Sequence, residues 1–139
     1  MPLKLEIITP EKRVYEDTVD AVSFMTRNGE VDILPGHMPL LTMLLEGELR
    51  AHKGGRTDAL AVSRGFARVM GDTVSILTDA AIDVEAIDAS AVEEAQKRAQ
   101  QALEKARLQK DVDEAELERL EAVSRFAIAQ LLTKRRNPR

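Results

Sequence analysis

His37 and His52 are the only imidazoles in the chain and cysteine is absent, so acid–base chemistry near neutral pH and soft-metal ligation have two residues to draw on. The two histidines fall on different expected elements, with no carboxylate at ligand spacing beside either, and each reads as a surface or loop residue. Gly54-Gly55 has neither a following helix nor a Lys-Ser/Thr pair, so it is not a phosphate-cradling loop. Ser63-Arg64-Gly65 does not form a nucleophile elbow. The remaining carboxylates are spread as solvated strand and helix faces. No catalytic residues, no metal site and no cofactor are therefore expected. A binding or structural role is favoured, and its rival is an enzyme whose site assembles only at an oligomer interface.

The stretch from Asn28 to Thr42 organises the rest. Asn28-Gly29 predicts a tight hairpin turn with positive φ at both residues. A strand is expected from Glu30 to Leu34. Pro35-Gly36 ends it, because proline gives up a ladder donor and glycine permits the reversal. His37, Met38 and Pro39 then complete a stiff loop, and such loops usually present something.

The chain has 139 residues and net charge −4, which argues against a nucleic-acid binder because phosphates demand an excess of Lys and Arg. Aromatic residues are also too few for base stacking. The N-terminus carries no basic leader, and no window approaches the ~20 apolar residues that span a bilayer, so a soluble, non-exported protein is expected. Charge and composition divide the chain near residue 86. The first 85 residues carry net charge −5 and all seven glycines; the remainder carries +1, eleven alanines and no glycine. Glycine punctuates tight β-connections and alanine is the best helix former, so an α+β protein is expected, with a β domain at 1–86 and a helical domain at 87–139.

In the first part Leu3, Leu5 and Ile7 alternate with charged residues, and Val22 and Phe24 share a face. Leu40 to Leu45 is a continuous apolar run, read as a buried strand because Glu46-Gly47 ends it too soon for a helix. Gly54-Gly55, Ser63-Arg64-Gly65 and Gly71-Asp72 separate further runs, giving about nine strands, the pattern of a sandwich or barrel.

In the second part Ser90 and Glu93 form an expected capping box, and Val92, Ala95, Ala99, Ala102 and Ala106 form a seam of small residues. Asp113 and Glu116 supply a second cap, after which Leu117, Leu120, Ser124, Ala127 and Leu131 repeat the spacing, with Val123 and Ile128 widening the stripe. An antiparallel hairpin follows, with Glu93–Lys97, Glu94–Arg98 and Glu121–Arg125 as i,i+4 pairs. Because alanine methyls bury little apolar area, the hairpin is expected to be loosely held and able to detach. Lys134, Arg135, Arg136 and Arg139 make a basic terminus suited to an acidic protein partner.

Taken together, Leu5-Glu6-Ile7-Ile8-Thr9-Pro10, Val14-Tyr15, Gly29-Glu30-Val31, Ile33-Leu34-Pro35-Gly36-His37-Met38-Pro39-Leu40-Leu41-Thr42, Gly47-Glu48-Leu49-Arg50 and the alanine-rich helix pair resemble the epsilon-subunit family of bacterial F-type ATP synthases, whose mitochondrial counterpart is called delta. The resemblance spans the whole chain. It implies a ten-stranded β-sandwich followed by a helical hairpin, in a non-catalytic rotor subunit coupling ion-driven ring rotation to ATP synthesis. It further implies a peripheral location on the cytoplasmic face of the plasma membrane, one copy per complex, and the gamma subunit, the ring of subunit c and the alpha and beta subunits as partners.

On this resemblance Gly29, Glu30, Val31 and Asp32 face the rotor ring, with Asp32 standing where the family generally has glycine, and Pro35, Gly36, His37 and Met38 lie at gamma. Arg125, Lys134, Arg135 and Arg136 would meet an acidic segment of beta when the hairpin extends and blocks ATP hydrolysis. Some members bind ATP through an Ile/Leu-Asp-x-x-Arg-Ala motif. Here Ile87 and Asp88 match its start, but Ala91 stands where the arginine should be, so tight nucleotide binding is not expected. A stand-alone adaptor of the same architecture is the alternative.

Overall fold

The computed structural model describes residues 2–137. Ten strands form: β1 (Leu3–Ile8), β2 (Arg13–Val19), β3 (Ala21–Thr26), β4 (Gly29–Ile33), β5 (Leu40–Leu44), β6 (Gly47–Lys53), β7 (Arg56–Val62), β8 (Gly65–Met70), β9 (Thr73–Thr78) and β10 (Ala81–Asp83). They make two five-stranded sheets, ordered β2-β1-β9-β8-β5 and β10-β7-β6-β3-β4. Pairing is antiparallel except between β1 and β9. The alternation expected in β1 and β3 holds, with Leu3, Leu5, Ile7, Val22 and Phe24 fully buried beside Leu49, Leu60 and Ile76. Each such side chain contributes about 1.5–3 kcal/mol through burial.

Turn chemistry departs from expectation at Asn28-Gly29. Thr26 pairs directly with Gly29, so Arg27 and Asn28 form the tip, and only Gly29 has positive φ, at 109°. The Thr26 hydroxyl decides this geometry, donating to the Gly29 carbonyl at 2.8 Å and accepting from the Asn28 N–H at 3.2 Å. The turn with two positive φ values occurs instead at Gly54-Gly55 (55° and 83°), which joins β6 to β7. At Leu34-Pro35-Gly36-His37 the reversal forms as expected. Gly36 has φ 84°, and the His37 N–H donates to the Leu34 carbonyl at 3.1 Å, in the manner of a type II turn with proline leading.

Tyr15 on β2 and Asp58 on β7 join the two sheets, the phenol donating to the carboxylate at 2.9 Å. Burial, reinforced by this hydrogen bond, pushes the phenol above the ordinary tyrosine range. The unfolded chain therefore loses its phenolic proton first. The stabilising contribution is complete below pH about 10 and declines as pH rises further. Because this is the only tyrosine and tryptophan is absent, tyrosinate absorbance reports it directly. We expect folded protein to titrate later than unfolded protein, and Tyr15→Phe to flatten the alkaline fall in urea midpoint.

The helices are α1 (Ala89–Arg107) and α2 (Glu114–Arg136), preceded by one 3-10 turn at Val84–Ala86. The first cap is Asp88, which accepts from the Ala91 N–H; Ser90 lies inside the first turn, so the expected Ser90–Glu93 capping box does not form. Asp113 caps α2 as expected. Of the expected α1 seam only Ala99 is fully buried, and Leu103, which lies outside that seam, is buried with it on the side packed against α2. Val123 and Ile128, expected to widen the α2 stripe, point outward; Ala129 and Thr133 are buried in their place. The reason is that α2 packs on two surfaces at once, α1 and the β6–β7 face of the second sheet. Of the three expected i,i+4 pairs, only Glu121–Arg125 closes among the described residues, at 3.8 Å.

Candidate docking surface

The outer faces of the two sheets are treated differently. Helix α2 covers the second sheet, where Phe126 and Val92 pack on Ala59, Ala61, Val84 and Ile87. The first sheet's outer face stays bare and is apolar at one end. Register places Met43, Phe66 and Leu77 side by side on β5, β8 and β9, with Ile8 of β1 opposite Leu77. Phe66 is 52% exposed and Leu41, two residues before Met43, is 71% exposed. Isolated exposed hydrophobic residues are ordinary, whereas a contiguous row across four strands marks an interaction surface.

This corrects the reading of Leu40–Leu45 as a buried strand. In β5 Leu44 turns into the core while Leu41 and Met43 turn out. A continuous apolar run in an antiparallel sheet places apolar side chains on both faces, and here the outer ones are left exposed. Phe66, Met43 and Leu77 are the residues that reasoning from sequence alone missed. The signal was available in Phe66-Ala67-Arg68-Val69-Met70, where Phe66 and Met70 stand in the phase opposite to the buried Ala67 and Val69.

The residues singled out around the first loop converge on the same side. Gly29, Glu30, Val31 and Asp32 lie on β4, the edge of the second sheet, and β5 is the edge of the first. Pro35, Gly36, His37 and Met38 bridge the two edges, while the Leu45 N–H donates to the Met25 carbonyl at 3.0 Å and ties the end of β5 to β3. Glu30 and Asp32 are exposed. Arg50 reaches Glu30 at 3.3 Å. His37 is half-buried, and its Nδ1 lies 2.7 Å from the Met38 carbonyl; since a carbonyl only accepts, Nδ1 carries the proton. Met38 is exposed and leads directly into Leu41 and Met43, so loop and apolar row form one surface.

The basic residues are gathered on α2 in a docked position. Arg125 reaches Glu46 at 3.8 Å and Glu118 at 3.2 Å. The Lys134 ammonium donates to the Val84 carbonyl at 3.3 Å, and Arg136 approaches Glu48 at 3.8 Å. Arg135 faces outward, and Arg139 lies outside the described residues. Ile87 and Asp88 have structural work here: Ile87 is buried under the hairpin and Asp88 caps α1. Among the described residues no group of three or more His, Asp or Glu is placed to hold a metal ion, and no helix is long and apolar enough to cross a membrane.

A family profile described as "ATP synthase, Delta/Epsilon chain, beta-sandwich domain" matches residues 2–84. The chain is 40% identical over 131 residues to an ATP synthase epsilon chain of Herpetosiphon aurantiacus, covering 94% of this chain and 96% of that one. It is 42% identical over 101 residues to an ATP synthase epsilon chain of Bacillus subtilis, covering 73% and 76% respectively. Its fold is similar to a chain in a cryo-EM structure of the Euglena gracilis mitochondrial ATP synthase (OSCP/F1/c-ring), with TM-score 0.72, 25% identity, and coverage of 92% of this chain and 78% of that one. A chain in the Tetrahymena thermophila mitochondrial ATP synthase central stalk and c-ring shares the fold at TM-score 0.61 and 16% identity, with coverage of 96% and 97%. With two five-stranded sheets under a two-helix hairpin and relatives matching nearly its whole length, this chain belongs to the delta/epsilon chain family of ATP synthases, as a member of its epsilon branch.

Proposed function

We propose that this chain is a non-catalytic part of the central stalk, passing torque between the shaft subunit and the rotor ring while its hairpin restrains ATP hydrolysis. The observation carrying this reading is the bare apolar row Met43–Phe66–Leu77 on one sheet, opposite a face that the hairpin already covers. A torque-bearing sandwich must be stiff and must bury a large surface against its shaft, and this face offers one. The gamma subunit docks there and on Pro35, Gly36, His37 and Met38. Gly29, Glu30, Val31 and Asp32, on the adjoining edge strand, meet polar loops of the ring, with Glu30 and Asp32 supplying exposed carboxylates. The complex holds the chain at the membrane's cytoplasmic face.

The hairpin contributes by leaving its docked position and presenting Arg125, Lys134, Arg135 and Arg136 to an acidic segment of beta. Apart from Leu120 and Phe126, the residues that α2 buries are small (Ser124, Ala127, Ala129 and Thr133), which keeps the docked interface weak enough for that exchange. The test is reconstitution with alpha, beta and gamma subunits. We expect co-assembly of the full chain, unchanged assembly of a chain lacking residues 88–139, and several-fold faster ATP hydrolysis by the truncated complex. Hydrolysis at the same rate in both complexes would remove the hairpin from regulation.

A further inference from the structure

We propose that the turn carrying Glu46 and Glu48 is a reversible carboxylate latch, which holds α2 down by engaging the cations that the hairpin would otherwise offer to an acidic partner. The two carboxylates flank Gly47 where β6 begins, beneath the C-terminal half of α2. Each is shared between one arginine of the sandwich and one of the helix. Glu46 accepts from the Arg64 Nε at 2.7 Å and faces the Arg125 Nε at 3.8 Å. Glu48, whose side chain is 7% exposed, lies 3.2 Å from the Arg50 Nε and 3.8 Å from Arg136, and accepts from the Asn137 amide at 2.6 Å.

This sharing makes the contact a latch rather than a permanent staple. Removing one partner from a buried ion pair is strongly unfavourable because a charge is left uncompensated. Here release of α2 leaves Glu46 with Arg64 and Glu48 with Arg50, while Arg125 keeps Glu118 and Glu121 on its own helix. Both the docked and the released arrangements are therefore compensated. The docking contact is also loose. The Arg125 Nε is buried without a hydrogen bond, and an open groove of about 300 Å³ lined by Met25, Ile128 and Leu132 runs beside it. Arg125 and Arg136 cannot serve Glu46 and Glu48 and an external acidic segment together, so docking and braking exclude one another. Arg50 also contacts Glu30, so the latch is joined by one side chain to the edge strand proposed to face the ring.

This inference rests on the braking role proposed above, and the experiment separates the two. Since the chain has no cysteine, spin labels are attached at Asp72→Cys on the sandwich and Asp111→Cys at the hairpin tip of the full-length protein. Glu46→Gln with Glu48→Gln is expected to raise the long-distance, released population about tenfold, the loss expected from two partly exposed ion pairs. Arg125→Gln with Arg136→Gln, which opens the latch from the helix side and leaves the Glu46–Arg64 and Glu48–Arg50 pairs in place, raises the same population, a result that misfolding of the sandwich would not produce. Distance distributions that stay the same across these variants overturn the latch. In the reconstituted complex the Gln pair deepens inhibition of hydrolysis. Release without deeper inhibition leaves the latch standing and overturns the braking role instead.

Discussion

Gly65→Ala is expected to destabilise the sandwich by about 3 kcal/mol or more, a large share of the 5–15 kcal/mol that holds a domain together. Gly65 opens β8, where it pairs with Thr78 on β9 and Leu44 on β5. A Cβ at this position would lie 1.9 Å from the Leu77 carbonyl oxygen and 2.8 Å from the Thr78 Cα. Both are backbone atoms of the neighbouring strand, so no rotamer change relieves the clash and the strands must separate. Thr78 anchors that end of the sheet by donating to the Ser63 carbonyl at 2.8 Å, and the displacement would disturb this bond as well. Gly71→Ala is the comparison. Gly71 has φ 61° with open space around it, so the cost there is conformational alone, about 1–2 kcal/mol. Urea titrations should show a much lower midpoint for Gly65→Ala at similar slope. Equal midpoints for the two variants would mean that strand approach at Gly65 is not a constraint.

Phe66→Asp is expected to leave the chain folded and to weaken its association with the gamma subunit about 100-fold. The side chain is half-exposed in the free protein, so its loss removes cross-strand contacts with Met43 and Leu77 worth about 1 kcal/mol or less. In the proposed complex it lies at the centre of a desolvated apolar face. Buried aromatic side chains at such positions dominate binding energy, and an unpaired carboxylate there adds a desolvation penalty. Calorimetric titration of gamma with native and variant chains would measure the difference, with thermal unfolding as the control. Native-like affinity in a folded Phe66→Asp protein would move the shaft contact off this sheet.

Local pattern was enough for much of the architecture. The shift from glycine to alanine near residue 86 marks the change from strands to helices, and alternation placed Leu3, Leu5, Ile7, Val22 and Phe24 in the core. Pro35-Gly36 and Asp113 carried their own turn and cap chemistry, because each acts on backbone groups within a few residues. Side chains close to a turn can still redirect it, as Thr26 does beside Asn28-Gly29.

What periodicity settles is which residues of one strand share a face; it is silent on what covers that face. Leu41 and Met43 were indistinguishable from core residues until β5 was placed at the edge of a sheet whose outer side no helix reaches. Val123 and Ile128 were assigned inward because a single stripe was assumed, whereas α2 rests on two supports in different directions. Glu46 and Arg125 lie 79 positions apart, and their meeting depends on how the hairpin packs over β6 and β7. The sequence by itself determined most of the strands, both helices and the reversal at Pro35-Gly36, since these follow from interactions among near neighbours. Only the tertiary structure decided which apolar face stays bare and which carboxylates hold the helix, since those depend on how whole layers stack.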